Sequence, residues 1–162
     1  MRPATRDHVV AATHFVLGPS NFLVLPLPSN WDLRLGRMPM DIDYTVFFDG
    51  VRWAQAGQAS AMLVDGKAKR AIELHVKTAR DALAPPKLLE ARPGGCRVGG
   101  HDAQYAIGSA RFGLFRTKHY TVLYVAFRCP ETQRLVDLRF MHKGPAETLE
   151  GLIPPLERAR CH

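Results

Sequence analysis

The chain has 162 residues, 46% of them hydrophobic and 23% charged, which is the size and balance of one ordinary globular domain spanning 1–162. That composition excludes a disordered, collagen-like or coiled-coil protein. Its one departure is charge: 22 Lys and Arg against 15 Asp and Glu give a net +7, which bears on partners rather than on fold.

Residues 5–17 read equally as a short helix or a strand, and Gly18-Pro19-Ser20-Asn21 reads as a turn. A dense apolar run, Phe22 to Leu27, precedes Pro28-Ser29-Asn30 and a strand over Trp31–Leu35. In that strand Trp31, Leu33 and Leu35 share one face, and Asp32 and Arg34 the other. Tyr44–Phe48 forms a further strand, and Asp49-Gly50 is a tight-turn signal leading into Val51-Arg52-Trp53.

Residues 66–90 fit two periods. As a helix, Ala68, Ile72, His75, Ala79 and Leu83 form one stripe, with Asp65 at the start and Pro85-Pro86 at the end. As a strand, Ile72, Leu74 and Val76 alternate with Glu73, His75 and Lys77. Leu74 and Val76 would be misplaced on the helical stripe, which favours a strand over 71–77 and a short helix near 79–84.

The second half reads as successive strands over 96–107, 111–116, 119–127 and 134–141, with turns at Gly108-Ser109-Ala110 and at Cys129 to Gln133. Both faces of 119–127 are apolar, as in a central strand. In 134–141, Val136, Leu138 and Phe140 alternate with Asp137 and Arg139, as in an outer strand. The chain closes in a helix from Pro145 onward, its charges complementing the macrodipole, which Pro154-Pro155 must kink or split. Antiparallel strands followed by helix, without βαβ alternation, predict an α+β fold.

Nothing resembles an export signal at the charged start, and no window approaches the roughly 20 apolar residues that span a bilayer. The expectation is a cytoplasmic protein with no membrane partner. Three cysteines, Cys96, Cys129 and Cys161, are too few for a disulfide framework and match a reducing compartment. Two Asn and four Gln are few, as in heat-adapted proteins, which would permit a Cys96–Cys129 bridge; Lys and Glu are not enriched to match.

No motif carries an evident chemistry. Gly94-Gly95-Cys96-Arg97-Val98-Gly99-Gly100 lacks the G-K-[ST] ending and the following helix of a phosphate cradle, and reads as backbone turns or a bulge. Cys96, His101, Cys129 and Cys161-His162 offer zinc-type ligands, but without C-x-x-C or H-x-x-x-H spacing. His101, Asp102 and Ser109 do not make a triad, because adjacent strand residues point to opposite faces. Asp41 and Asp43 share a strand face, more in keeping with a solvated edge than an acid pair. No catalytic residue, cofactor or metal is assigned.

Charge supplies the remaining site. Residues 1–65 carry five basic and six acidic groups, whereas no acid falls between Asp102 and Glu131. Arg111, Arg116, Lys118, His119 and Arg128 lie in that stretch, interleaved with Phe112, Phe115 and Tyr120. A basic β-hairpin of this kind would bind an anionic protein or nucleic-acid partner, although arginines on a solvated strand face are common. The alternative is a small enzyme or structural-metal protein built on His101 and Asp102 with Cys96 and Cys129.

Three features resemble the PsbP-like family: Phe22-Leu23-Val24-Leu25-Pro26 with Pro28-Ser29-Asn30-Trp31; Val98-Gly99-Gly100-His101-Asp102-Ala103; and the closing helix. The chain departs from that family at Pro154-Pro155 and at its Cys161-His162 end. The resemblance implies a central antiparallel sheet flanked by helices, an αβα sandwich, used as a non-catalytic binding module.

Overall fold

The computed structural model describes residues 4–15, 18–35, 57–79, 81–131 and 133–161. Strands dominate it. A two-stranded hairpin pairs β1 (Thr5–Phe15) with β2 (Gly18–Pro28). A seven-stranded antiparallel sheet contains β3 (Asp32–Leu35), β4 (Gly57–Asp65), β5 (Arg70–Ala79), β6 (Leu89–Val98), β7 (His101–Phe112), β8 (Lys118–Cys129) and β9 (Arg134–His142) in the order β3-β4-β5-β9-β8-β7-β6. The only helices among the described residues are α1 (Ala146–Glu150) and a 3-10 helix, Pro154–Arg158.

This overturns the expected αβα sandwich. The reasons are local. Pro154 and Pro155 stop α-helical continuation, so the closing helix is one short α turn followed by a 3-10 turn. The helix expected near 79–84 does not form: β5 runs through Ala79 and residues 82–88 are irregular. Half a dozen residues ahead of Pro85-Pro86 are too few to cover the cost of helix nucleation. The layer over the sheet is therefore the β1–β2 hairpin together with the C-terminal segment. Leu23, Leu25 and Leu27 from β2 and Leu149, Leu152 and Leu156 from the C-terminal segment join Leu63, Leu74, Leu123, Leu138 and Phe140 of the sheet in one buried cluster.

Alternation decided the strand that composition left open. Ile72, Leu74 and Val76 are buried while Lys77 is exposed and Glu73 and His75 half-buried, the period of two expected for 71–77. Trp31 is buried and Asp32 and Arg34 are exposed, also as the alternation requires. The expected strand at 44–48, the Asp49-Gly50 turn, Val51–Trp53, and Asp41 and Asp43 lie outside the described residues.

Three boundaries differ from expectation. Gly18–Asn21 belongs to β2 and is not a turn. The strand drawn across 96–107 is broken by a two-residue hairpin turn at Gly99 (φ 57°) and Gly100 (φ 81°), a backbone suited to paired glycines. Gly108-Ser109-Ala110 is strand interior, where Gly108 is needed because the Leu89 carbonyl of the bulged β6 would lie 2.8 Å from a Cβ. The reversal falls instead after Phe112, at Gly113 (φ 119°).

The strand expected to be outermost, β9, is the middle strand of the seven. Its alternating polar residues do not face open water. Asp137 is 0% exposed and accepts a hydrogen bond from Arg139 Nη2 at 3.1 Å. Arg139 also donates to the Ala84 carbonyl at 2.8 Å and lies over the Tyr124 ring. Polar alternation here marks a second, partly covered face rather than an edge. β8 is an interior strand, as its two apolar faces predicted.

Candidate functional site

The antiparallel register of β7 and β8 places Ala103 opposite Phe127. Two residues farther along each strand, His101 and Cys129 reach the same end and the same face, since side chains repeat every two residues. The next hairpin starts with Cys129 opposite Arg134, and its turn carries Glu131. The C-terminal segment brings the last member. Val24 and Arg160 exchange backbone hydrogen bonds at 2.8 and 2.9 Å, and Gly99 N–H donates to the Leu156 carbonyl, which leaves Cys161 buried over the sheet end.

The ligand atoms of His101, Cys129 and Cys161 all lie within 4.8 Å of one another. Cys161 Sγ is 2.8 Å from Cys129 Sγ. Glu131 Oε2 adds a carboxylate 3.4 Å from His101 Nε2 and 3.7 Å from Cys129 Sγ. Arg134, 1% exposed, sits against this group and donates through Nη2 to the Cys161 carbonyl at 3.1 Å. Burial, with the adjoining Cys129 thiol, pushes Cys161 up to about 12. Burial also lowers the Arg134 guanidinium from its usual range, and the two thiols oppose that shift.

Sequence order concealed this arrangement. Of the expected ligands, His101, Cys129 and Cys161 come together; Cys96 does not join them, being half-buried on β6 opposite Ala103. No Cys96–Cys129 pair exists, because the neighbour of Cys129 is Cys161. His162 lies outside the described residues. Asp102 is exposed on the face opposite His101, and Ser109 lies eight residues along β7, roughly 25 Å away, so no triad is assembled. Glu131 and Arg134 were missed entirely; one residue in a turn and one at a strand start carry no motif.

The second candidate is the tip of the β7–β8 hairpin. Arg111 pairs with His119 and Phe112 with Lys118, and Arg116 lies in the connecting loop, all exposed. Leu114 and Phe115 at the tip are 92% and 95% exposed. Phe112 meets Tyr120 edge-on at 5.7 Å, and Lys143 lies over the Tyr120 ring, a further cation the sequence reading left out. Arg128 does not belong here. It sits ten residues from Lys118 along β8, roughly 30 Å away, beside the thiol end of the sheet.

A cleft of about 450 Å³ opens between Arg92, Tyr105, Ile107, Glu150 and Ile153, bridged by an Arg92–Glu150 ion pair at 2.7 Å. Its lining holds no thiol or imidazole. Among the described residues no helix is long and apolar enough to cross a membrane. Compared with known proteins, the chain matches no family model and no curated protein.

Proposed function

We propose that the protein is a binding module that takes single-stranded nucleic acid at the β7–β8 hairpin tip. The observation that supports it is the exposure of Phe115 and Leu114 between Arg111, Arg116, Lys118 and His119, in a stretch free of acidic residues. A large apolar side chain at more than nine-tenths exposure gains nothing for the fold, whereas a ring flanked by cations offers a base-stacking surface with phosphate contacts beside it.

The test is fluorescence anisotropy of a labelled single-stranded RNA at rising salt. Three or four phosphate contacts predict a log–log salt slope of about −2 to −3. Phe115→Ala weakens binding by about 10- to 100-fold, and Arg116→Glu with Lys118→Glu abolishes it. Absence of salt-dependent binding by the wild type, or unchanged binding by the double variant, sinks the reading. An acidic protein is the competing partner for the same cations, and it would be retained by the basic tip without the loss on Phe115→Ala.

A further inference from the structure

We propose that His101, Cys129, Cys161 and Glu131 bind one Zn²⁺, which fastens the C-terminal segment to the end of the seven-stranded sheet. The inference is independent of the hairpin tip, which projects from the other end of β8.

Four donors converge from β7, the end of β8, the β8–β9 turn and the C-terminal segment, although they are spread over positions 101 to 161. Their chemistry is that of a zinc site: two thiolates, an imidazole and a carboxylate suit a borderline-soft cation that prefers four ligands. Geometry agrees. Zn–S near 2.3 Å and Zn–N or Zn–O near 2.0 Å in a tetrahedron separate ligand atoms by about 3.3–3.8 Å. The thiols at 2.8 Å, the His101, Cys129 and Cys161 atoms within 4.8 Å of one another, and Glu131 Oε2 at 3.4 Å from His101 Nε2 and 3.7 Å from Cys129 Sγ need movements of about 1 Å to reach that.

Charge balance favours an occupied site. Zn²⁺ with two thiolates, one carboxylate and a neutral imidazole carries a net −1, and Arg134 beside it supplies the balancing +1. A guanidinium with almost no solvent contact is well placed next to an anionic cluster. Four protein donors leave no open position for substrate, which makes the site structural rather than catalytic. Glu131, with half its side chain exposed, marks the route by which the ion enters.

The experiment is titration of the reduced, metal-free full chain with Co²⁺ and Zn²⁺ under anaerobic conditions, alongside elemental analysis of the protein as purified. One equivalent of Co²⁺ should bind with a thiolate-to-cobalt charge-transfer band and intense tetrahedral d–d bands, displaced by Zn²⁺. Zn²⁺ should raise the melting temperature, and a chelator should reverse the rise. Cys96→Ser should retain all of this. Cys161→Ser and His101→Gln should weaken Zn²⁺ binding by more than the about 100-fold that changes around a metal site cost. Failure of the wild type to bind a stoichiometric ion with thiolate bands overturns the proposal, whether or not the variants fold. Binding that survives Cys161→Ser, or that is lost in a folded Cys96→Ser, overturns it equally.

Discussion

Cys129 Sγ and Cys161 Sγ stand 2.8 Å apart, although 32 positions separate the two residues in the chain. One thiol closes a sheet strand and the other closes the segment that crosses over it, so the contact reports whether the C-terminal segment is seated. With the metal-free protein, diamide should take two protons and two electrons from this pair and leave a Cys129–Cys161 disulfide. The mass should fall by two hydrogens, with Cys96 still open to alkylation, and prior loading with Zn²⁺ should slow the reaction. Peptide mapping that finds Cys96 in the bridge would contradict the arrangement.

Among the described residues, Arg134 is the largest side chain that is fully buried. Arg134→Leu removes the donor to the Cys161 carbonyl, leaves that acceptor without it, and alters a packed volume. A loss of about 2–4 kcal/mol is expected from urea unfolding, larger than for typical surface changes. Arg134→Lys should fall between, keeping the charge but losing the forked donor. A loss below about 1 kcal/mol for the Leu variant would show that the guanidinium does not hold this end together.

Two glycines in tight turns should respond oppositely to the same change. Gly99 has φ 57°, and a Cβ there would lie 2.8 Å from the Ala159 carbonyl oxygen in the C-terminal segment. Gly99→Ala should cost about 1–3 kcal/mol, from the left-handed backbone and the collision together. Gly66 meets nothing within 4 Å, so Gly66→Ala should leave stability within about 0.5 kcal/mol of the wild type or raise it. Equal thermal shifts for the two would refute the close approach of the C-terminal segment to the β6–β7 turn.

Acid should loosen the β4–β5 turn through Asp65. Its carboxylate accepts from Arg70 Nη2 at 2.8 Å and from the Ala68 and Lys67 amides, which hold its pKa below the ordinary 3.8. A group lowered in the folded state contributes stability above its unfolded pKa and loses it as pH falls through the folded value. Asp65→Asn should therefore destabilise the protein at neutral pH and show a shallower drop in melting temperature below pH 3.8 than the wild type. Parallel curves for the two proteins would remove Asp65 as a source of acid sensitivity.

Strand positions were legible where burial alternates along a single segment. Trp31–Leu35 and 71–77 announce themselves because one face of each strand is apolar and the other polar. Strand order was not legible: β9 looked like an edge because Asp137 and Arg139 are polar, yet their partners are each other, Ala84 and Tyr124. The hairpin tip was nearly visible, because a one-signed charge run is a local property. Arg128 was misassigned to it, since proximity in sequence is distance along an extended strand.

Composition, charge distribution and two-residue periodicity by themselves determined that this chain would build antiparallel strands and carry its basic excess after residue 66. Those are properties of short windows, in which propensity and alternation act without long-range contacts. Only the tertiary structure decided that, among the described residues, a β-hairpin and a C-terminal segment of two short helical turns cover the sheet, and that Cys129 should meet Cys161 and His101 instead of Cys96. Those outcomes depend on register and chain crossing. A one-residue shift in register would turn every side chain to the opposite face.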